Sequence, residues 1–320
     1  MRHLRCIVVL FTVAVLVALA PPILDGASAR GVGSNVSLGG WRPFPDDNPW
    51  NQRIDGLPVD PRSDAIIRRI GAGTELHADF GANWDGGPFG IPYVVVPANQ
   101  PRMPIRFTEY GDESDPGPYP VPPDASVEKG SDHHVLVVDP SHQKLYELYH
   151  AERRRGPNGA VRWAAGSGAV FDLTSNRLRP AGWTSADAAG LPIFPGLARY
   201  DEVVGSREIR HALRFTVEHT RKAYLPPATH FASDETDPLL PPMGMRVRLK
   251  RSFDVSGYPP QARVVLVALQ RYGMIVADNG SDWFVSGAPD ARWNDDDLNT
   301  LKQVRGGDFE VVKMGAPRTR

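Results

Sequence analysis

If residues 208–217 run as a strand, alternation places Ile209, His211, Leu213, Phe215 and Val217 on one face and Glu208, Arg210, Ala212 and Arg214 on the other. His211 is then the polar member of an apolar face. A buried imidazole needs a hydrogen-bond partner: bonded to a backbone carbonyl it is a core histidine, and at the floor of a cleft it is a general acid or base. Glu147 is a parallel case. In the run 144–150 it shares a face with Leu145 and Tyr149, so it points inward and requires either an ion-pair partner or a raised pKa. His134 sits beside Leu136 and Val138 in the same way. Asp278 closes an apolar run, while Asp187 and Glu202 fall in the polar stretches 183–187 and 200–202. Glu147, Asp187, Glu202, His211 and Asp278 are therefore the candidate catalytic residues. Hydrolysis of a glycoside needs two carboxyl groups flanking the bond. Glu202 or Glu147 would be the acid and Asp187 or Asp278 its partner. In a lyase, His211 would be the base and Arg210 would neutralise a uronate. Trp183, Tyr200 and Trp283 offer rings that could stack on a sugar, and with Arg210 they form the candidate substrate-binding set.

Other chemistries are not announced. The chain has no His-Glu-x-x-His helix, no phosphate-cradling Gly-Lys-Ser/Thr loop and no EF-hand pattern. Gly166-Ser167-Gly168 lacks the spacing of a nucleophile elbow. Glu147, His134 and His211 could converge as two histidines and a carboxylate, a familiar zinc set, but their spacing carries no metal signature. The expectation is no metal and no cofactor.

The elements that must position these residues are short. Runs rich in β-branched and aromatic residues cover 93–96, 105–110, 133–139, 144–150, 169–173, 208–217 and 245–249, separated by Gly- and Pro-rich turns. Asp60-Pro61-Arg62-Ser63 is expected to open a short helix through Ile66, Ile67 and Ile70, closed by Gly71 and Gly73. A second begins at Pro259-Pro260 and ends at Gly273, and a third is capped by Asn294 ahead of three aspartates. Asn279-Gly280 between the runs 274–277 and 283–286 predicts a hairpin. The fold class expected is mainly β (α+β), a β-sandwich or jelly-roll-like body with a few short packed helices.

The first thirty residues read as an export signal. Arg2, His3 and Arg5 precede an apolar run from Ile7 to Ala20, and Ala27-Ser28-Ala29 is a small-residue cleavage site. The expected organisation is a signal peptide over 1–29, a flexible leader over 30–43, a single β-rich domain over 44–313 and a basic tail over 314–320. Cys6, the one cysteine, would leave with the signal, so the mature chain would carry no thiol or disulfide. Of 36 basic and 37 acidic side chains, cleavage would remove Arg2, Arg5 and Asp25, leaving the signs nearly balanced. No basic stripe fit for nucleic acid is present, and no stretch beyond the signal approaches a membrane span.

Three stretches carry a resemblance: Ala164–Leu173, Arg179–Pro192 and Tyr272–Gly280. In them the chain resembles a family of exported bacterial proteins to which no activity attaches, and the likeness implies secretion and a single domain. The Glu-x-Asp-x-Glu motif of laminarinase-like sandwiches and the strand motifs of sandwich-type alginate lyases are missing. The expectation is a secreted carbohydrate-active enzyme, a glycoside hydrolase or polysaccharide lyase acting on an extracellular polysaccharide or cell-wall glycan. The alternative is a non-catalytic glycan- or wall-binding protein.

Overall fold

The structure, a computed structural model, describes residues 31–156 and 159–319. The expected signal peptide and the last residue of the tail lie outside the described residues. The architecture is mainly β with few helices, distributed over several sheets without a closed barrel.

Two sheets dominate. The first runs in the order Gly33–Ser34, Tyr93–Val95, Val135–Asp139, Lys144–Tyr149, Ser167–Asp172. Its register aligns Tyr93, Leu136, Glu147 and Ala169 across four strands, so Glu147 stands in the middle of one face. That face packs under Ile193, Phe194 and Leu197, while Val135, Val137 and Leu148 on the other face meet Trp163 and Tyr119. Both faces are covered, which is why these strands read as nearly continuous apolar runs. The segment expected to be a leader contributes here: Gly33–Ser34 pairs with Val94 and Val95, and Leu38 is only 2% exposed.

The second sheet runs in the order Phe309–Val311, Arg246–Leu249, Met274–Asn279, Leu213–Val217, Phe284–Ser286, His77–Asp79. The expected hairpin does not form. Met274–Asn279 and Phe284–Ser286 both pair with Leu213–Val217, which lies between them. Asn279-Gly280 does reverse the chain, but the gap is filled by a strand from more than fifty residues upstream. Parallel neighbours occur in both sheets, unlike the antiparallel ladder of a jelly roll.

Helices seal the second sheet. Helix α1, Ser63–Ile70, buries Ile66, Ile67 and Ile70 and ends at Gly71, whose φ of 117° suits glycine. Helix α2, Pro260–Arg271, buries Ala262, Val265, Leu266, Ala268 and Leu269 in the main core. Helix α3, Asp295–Asn299, is capped as expected: the Asn294 side chain accepts from the Asp297 amide at 3.2 Å.

Residues 183–198 form an irregular strap that ties the two sheets together. Ser167 Oγ of the first sheet donates to Ser185 O at 2.7 Å, and the Ile193 and Phe194 amides donate to Glu147. Toward the second sheet, the Ala189 amide donates to Ala277 O and the Ala198 amide to Ser286 O. The strap carries Asp187 to the seam between the sheets.

Candidate functional site

At this seam stands a buried arginine. Arg214, on the central strand Leu213–Val217, is 4% exposed. Its Nε donates to Asp187 Oδ2 at 3.1 Å and its Nη2 to Asp187 Oδ1 at 2.9 Å, a bidentate pair. The same Nη2 reaches Asp278 Oδ2 at 3.1 Å, and Nη1 donates to Ser286 Oγ at 2.6 Å. The strap prepares Asp187 for this role. Ser185 Oγ accepts from the Asp187 amide at 2.9 Å and donates to Leu191 O at 2.6 Å, while the Gly190 amide donates to Asp187 O. Gly190 has φ 71°, and a Cβ there would come within 2.1 Å of Thr229 Oγ1 and 2.6 Å of Trp183 O. Only glycine fits that turn. Arg179 fixes the start of the strap, donating from Nε to Thr184 O at 2.8 Å while paired with Asp115.

Two further buried groups share the neighbourhood. His134 Nδ1 lies 2.5 Å from Glu128 Oε2, and its Nε2 lies 2.9 Å from Ala186 O on the strap, so both ring nitrogens face acceptors. Burial disfavours the imidazolium, but the Glu128 carboxylate outweighs it and raises the His134 pKa to about 9. Glu147, with no exposed surface, accepts from the Ile193 and Phe194 amides at 2.9 Å; desolvation nevertheless wins and raises it to about 7. Asp278 is also raised to about 7, by burial and then by the Asp187 charge, against the pull of Arg214. Burial is the leading cause in both and the Asp187 charge adds to it, so Glu147 and Asp278 hold their protons to a higher pH than a free carboxyl does.

A cavity of about 190 Å³ opens on this cluster, lined among others by Asp278, Asp187, His230, Tyr149, Tyr110 and Asp132. The Asp278 side chain is 20% exposed and that of Asp187 is not exposed at all. Of this pair Asp278 is the carboxyl that reaches the cavity, beside the exposed Asp132, and Asp187 supports it through Arg214. His230 Nδ1 lies 2.7 Å from Ala188 O, a carbonyl that can only accept, so Nδ1 carries a hydrogen. Among the described residues no arginine or lysine lines this cavity.

The chain matches no protein family, no curated protein and no solved structure.

Of the five residues singled out in the sequence as catalytic, the fold brings Asp187 and Asp278 together, with Glu147 buried behind them. Glu202 and His211 form a separate cluster. His211 precedes the strand instead of lying on it, its Nδ1 bonded to Ala212 O at 2.8 Å and its Nε2 3.2 Å from Glu202 Oε2. Glu202 also takes a 2.6 Å bond from Arg199 Nη2; burial would raise its pKa, but Arg199 and His211 hold it down. Glu147, His134 and His211 do not converge, and among the described residues no cluster of three or more potential ligands is placed to hold a metal ion. Of the binding candidates, Trp183 lies half-buried with the Arg179 guanidinium 5.7 Å from its ring. Tyr200 lines a different and larger groove. Arg210 is exposed and bonds Gly40 O at 3.1 Å. Trp283 is sealed in the core, stacked between Phe215 and Phe309, with its Nε1 donating to Gly71 O. Sequence reasoning passed over Arg214, Glu128, His230 and Tyr149. Arg214 carried a signal, as a lone cation within an apolar run; Glu128 lies in an irregular loop with no pattern to mark it.

Proposed function

We propose that this protein is an exported carbohydrate-active enzyme that hydrolyses glycosidic bonds at the cavity beside Arg214. The observation that carries the reading is the pairing, in one cavity, of a carboxyl whose pKa is raised to about 7 with a histidine whose ring is held through Nδ1 by a backbone carbonyl. Asp278 would protonate the departing glycosidic oxygen, and His230 Nε2 would take a proton from the attacking water. Asp187 acts through Arg214 as a positioning residue, holding the guanidinium against Asp278. Tyr110 and Tyr149 supply rings along which a sugar can lie. Hydrolysis is favoured over elimination because a lyase needs a cation against the uronate, and the cavity wall offers none. Export rests on the charged, apolar and small-residue parts of the first thirty residues.

Incubating the purified protein with a panel of neutral and acidic polysaccharides and assaying reducing ends tests the reading. Activity on a neutral glycan is expected, lost by about a hundredfold or more in Asp278→Asn and in His230→Ala, and falling as pH rises through about 7, where Asp278 gives up its proton. The absence of reducing ends across the panel would defeat the proposal, as would full activity in Asp278→Asn.

A further inference from the structure

A second cavity, of about 990 Å³, shares no lining residue with the acid–base cavity. One wall is a six-residue π-helical turn, Asp201–Ser206, followed by Arg207 in the left-handed region at φ 55°. Turns of this kind are rare and recur at functional sites. The Arg199–Glu202–His211 cluster anchors it from inside, since Glu202 belongs to the turn. From the opposite side Ser37 Oγ and the Leu38 amide both donate to Asp201 at 2.9 Å, stitching the 34–40 segment to the turn.

The rim is aromatic. Tyr200 packs edge-on against Trp293 at 5.2 Å and lies under the Arg292 guanidinium at 4.2 Å. Phe89 lines the groove and touches Trp84 at 6.2 Å between ring centres. Trp84 is 71% exposed, the most exposed of the large apolar side chains among the described residues. Its position is nevertheless built: the hairpin of Gly81–Trp84 and Gly87–Phe89 is pinned by Asp295, which accepts from the Ala82 amide at 2.7 Å and the Asn83 amide at 3.0 Å. Between the rings the lining is hydroxyl- and peptide-rich, with Ser34, Ser37, Ser126 and Ser206 beside Gly40 and Gly205, where a Cβ would meet nothing. The wall carries two acids and two bases: Arg292 binds Asp290 through two bonds, Asp201 accepts from the Ser37 segment, and Lys129 lines the groove as the second cation.

We infer that this groove is a second binding site, distinct from the acid–base cavity, whose ligand is a neutral oligosaccharide segment. Ring faces suit the apolar side of a pyranose, serine and peptide groups suit its hydroxyls, and a wall of two acids and two bases, Asp201, Asp290, Lys129 and Arg292, presents no net charge to a polyanion. Neither function requires the other.

Isothermal titration of the full-length protein, both wild type and D278N, with cellohexaose, xylohexaose, maltohexaose and polygalacturonate decides it. Saturable binding to at least one neutral hexasaccharide is expected, equal in the two proteins, and weakened about tenfold or more by Trp84→Ala and by Tyr200→Ala. Trp84→Phe should restore most of it. Trp84 is exposed enough that its removal leaves the fold intact, and circular dichroism of each variant checks this. No saturable binding to any neutral hexasaccharide would overturn the inference, as would binding to polygalacturonate alone. Unchanged affinity in Trp84→Ala would do so too. Binding lost in D278N would place the ligand in the other cavity and overturn it equally, whereas binding without turnover would count only against the hydrolase reading.

Discussion

Arg214 holds two carboxylates from different elements, Asp187 on the strap and Asp278 at the end of the neighbouring strand, while its third arm reaches Ser286. Each removal therefore strands something different. Arg214→Met leaves Asp187 buried with its charge unbalanced, and loss of one partner from such a pair costs about 3–5 kcal/mol. Asp278 responds differently, because without the cation that lowers its pKa it simply keeps its proton. Arg214→Met should thus lose about 3–5 kcal/mol in urea unfolding, and Asp187→Asn added to it should recover a large part of the loss. A double variant no more stable than Arg214→Met would show that the pair is not the source of the cost. The sequence made half of this cluster visible. Glu147, His134 and Asp278 stood out as polar side chains within apolar runs. Arg214 was placed on the solvent side because alternation assumes that a strand has one wet face; Leu213–Val217 has none to speak of, so its polar member turns inward too.

At the scale of elements, the strap decides whether the site exists, and it has no regular secondary structure to hold it in shape over most of its length. It is held by the Ser185 hydroxyl, by amides donated into both sheets and by the Gly190 turn. Gly190→Ala would put a Cβ into Thr229 and the Trp183 carbonyl from a left-handed residue. Destabilisation of more than about 1 kcal/mol is expected, together with loss of polysaccharide hydrolysis, because Asp187 sits three residues away. Thermal melting and reducing-end assays read the two effects; a variant within about 0.5 kcal/mol of the wild type and fully active would show that the turn has other freedom. Helices α1, α2 and α3 were legible beforehand since Gly71, Pro259-Pro260 and Asn294 punctuate them locally. Strand order was not. Turn residues at 279–280 announce that the chain reverses, and nothing nearby announces that Leu213–Val217 will enter the gap.

For the molecule as a whole, the buried protons set how stability follows pH. Glu147 ionises at about 7 when folded and near 4.5 when unfolded, and Asp278 at about 7 against 3.8. Between those values the unfolded chain has released protons that the native state still holds, so stability falls as pH rises and levels off above 7. For Glu147 the shift corresponds to roughly 3 kcal/mol. His134 continues the fall: its contribution is complete below 6.5 and is lost as pH rises through about 9, because the native state gives up the proton that pairs it with Glu128. Glu128 and Glu202 act at the other end, since their lowered pKa values stabilise the fold above about 4.5 and that support is lost on acidification. His77, lowered by burial, opposes the decline as pH approaches 6.5, but it is half-buried and stands alone. The expected profile has its maximum on the mildly acidic side, near pH 5, with a continuous decline toward pH 9. Urea unfolding across this range measures it, and Glu147→Gln should make the limb between 4.5 and 7 shallower, leaving the part due to Asp278, without moving the limb above it. Stability that is level or rising between pH 5 and 7 in the wild type would mean that Glu147 and Asp278 enter the folded state already ionised, and Asp278 would then have no proton to give.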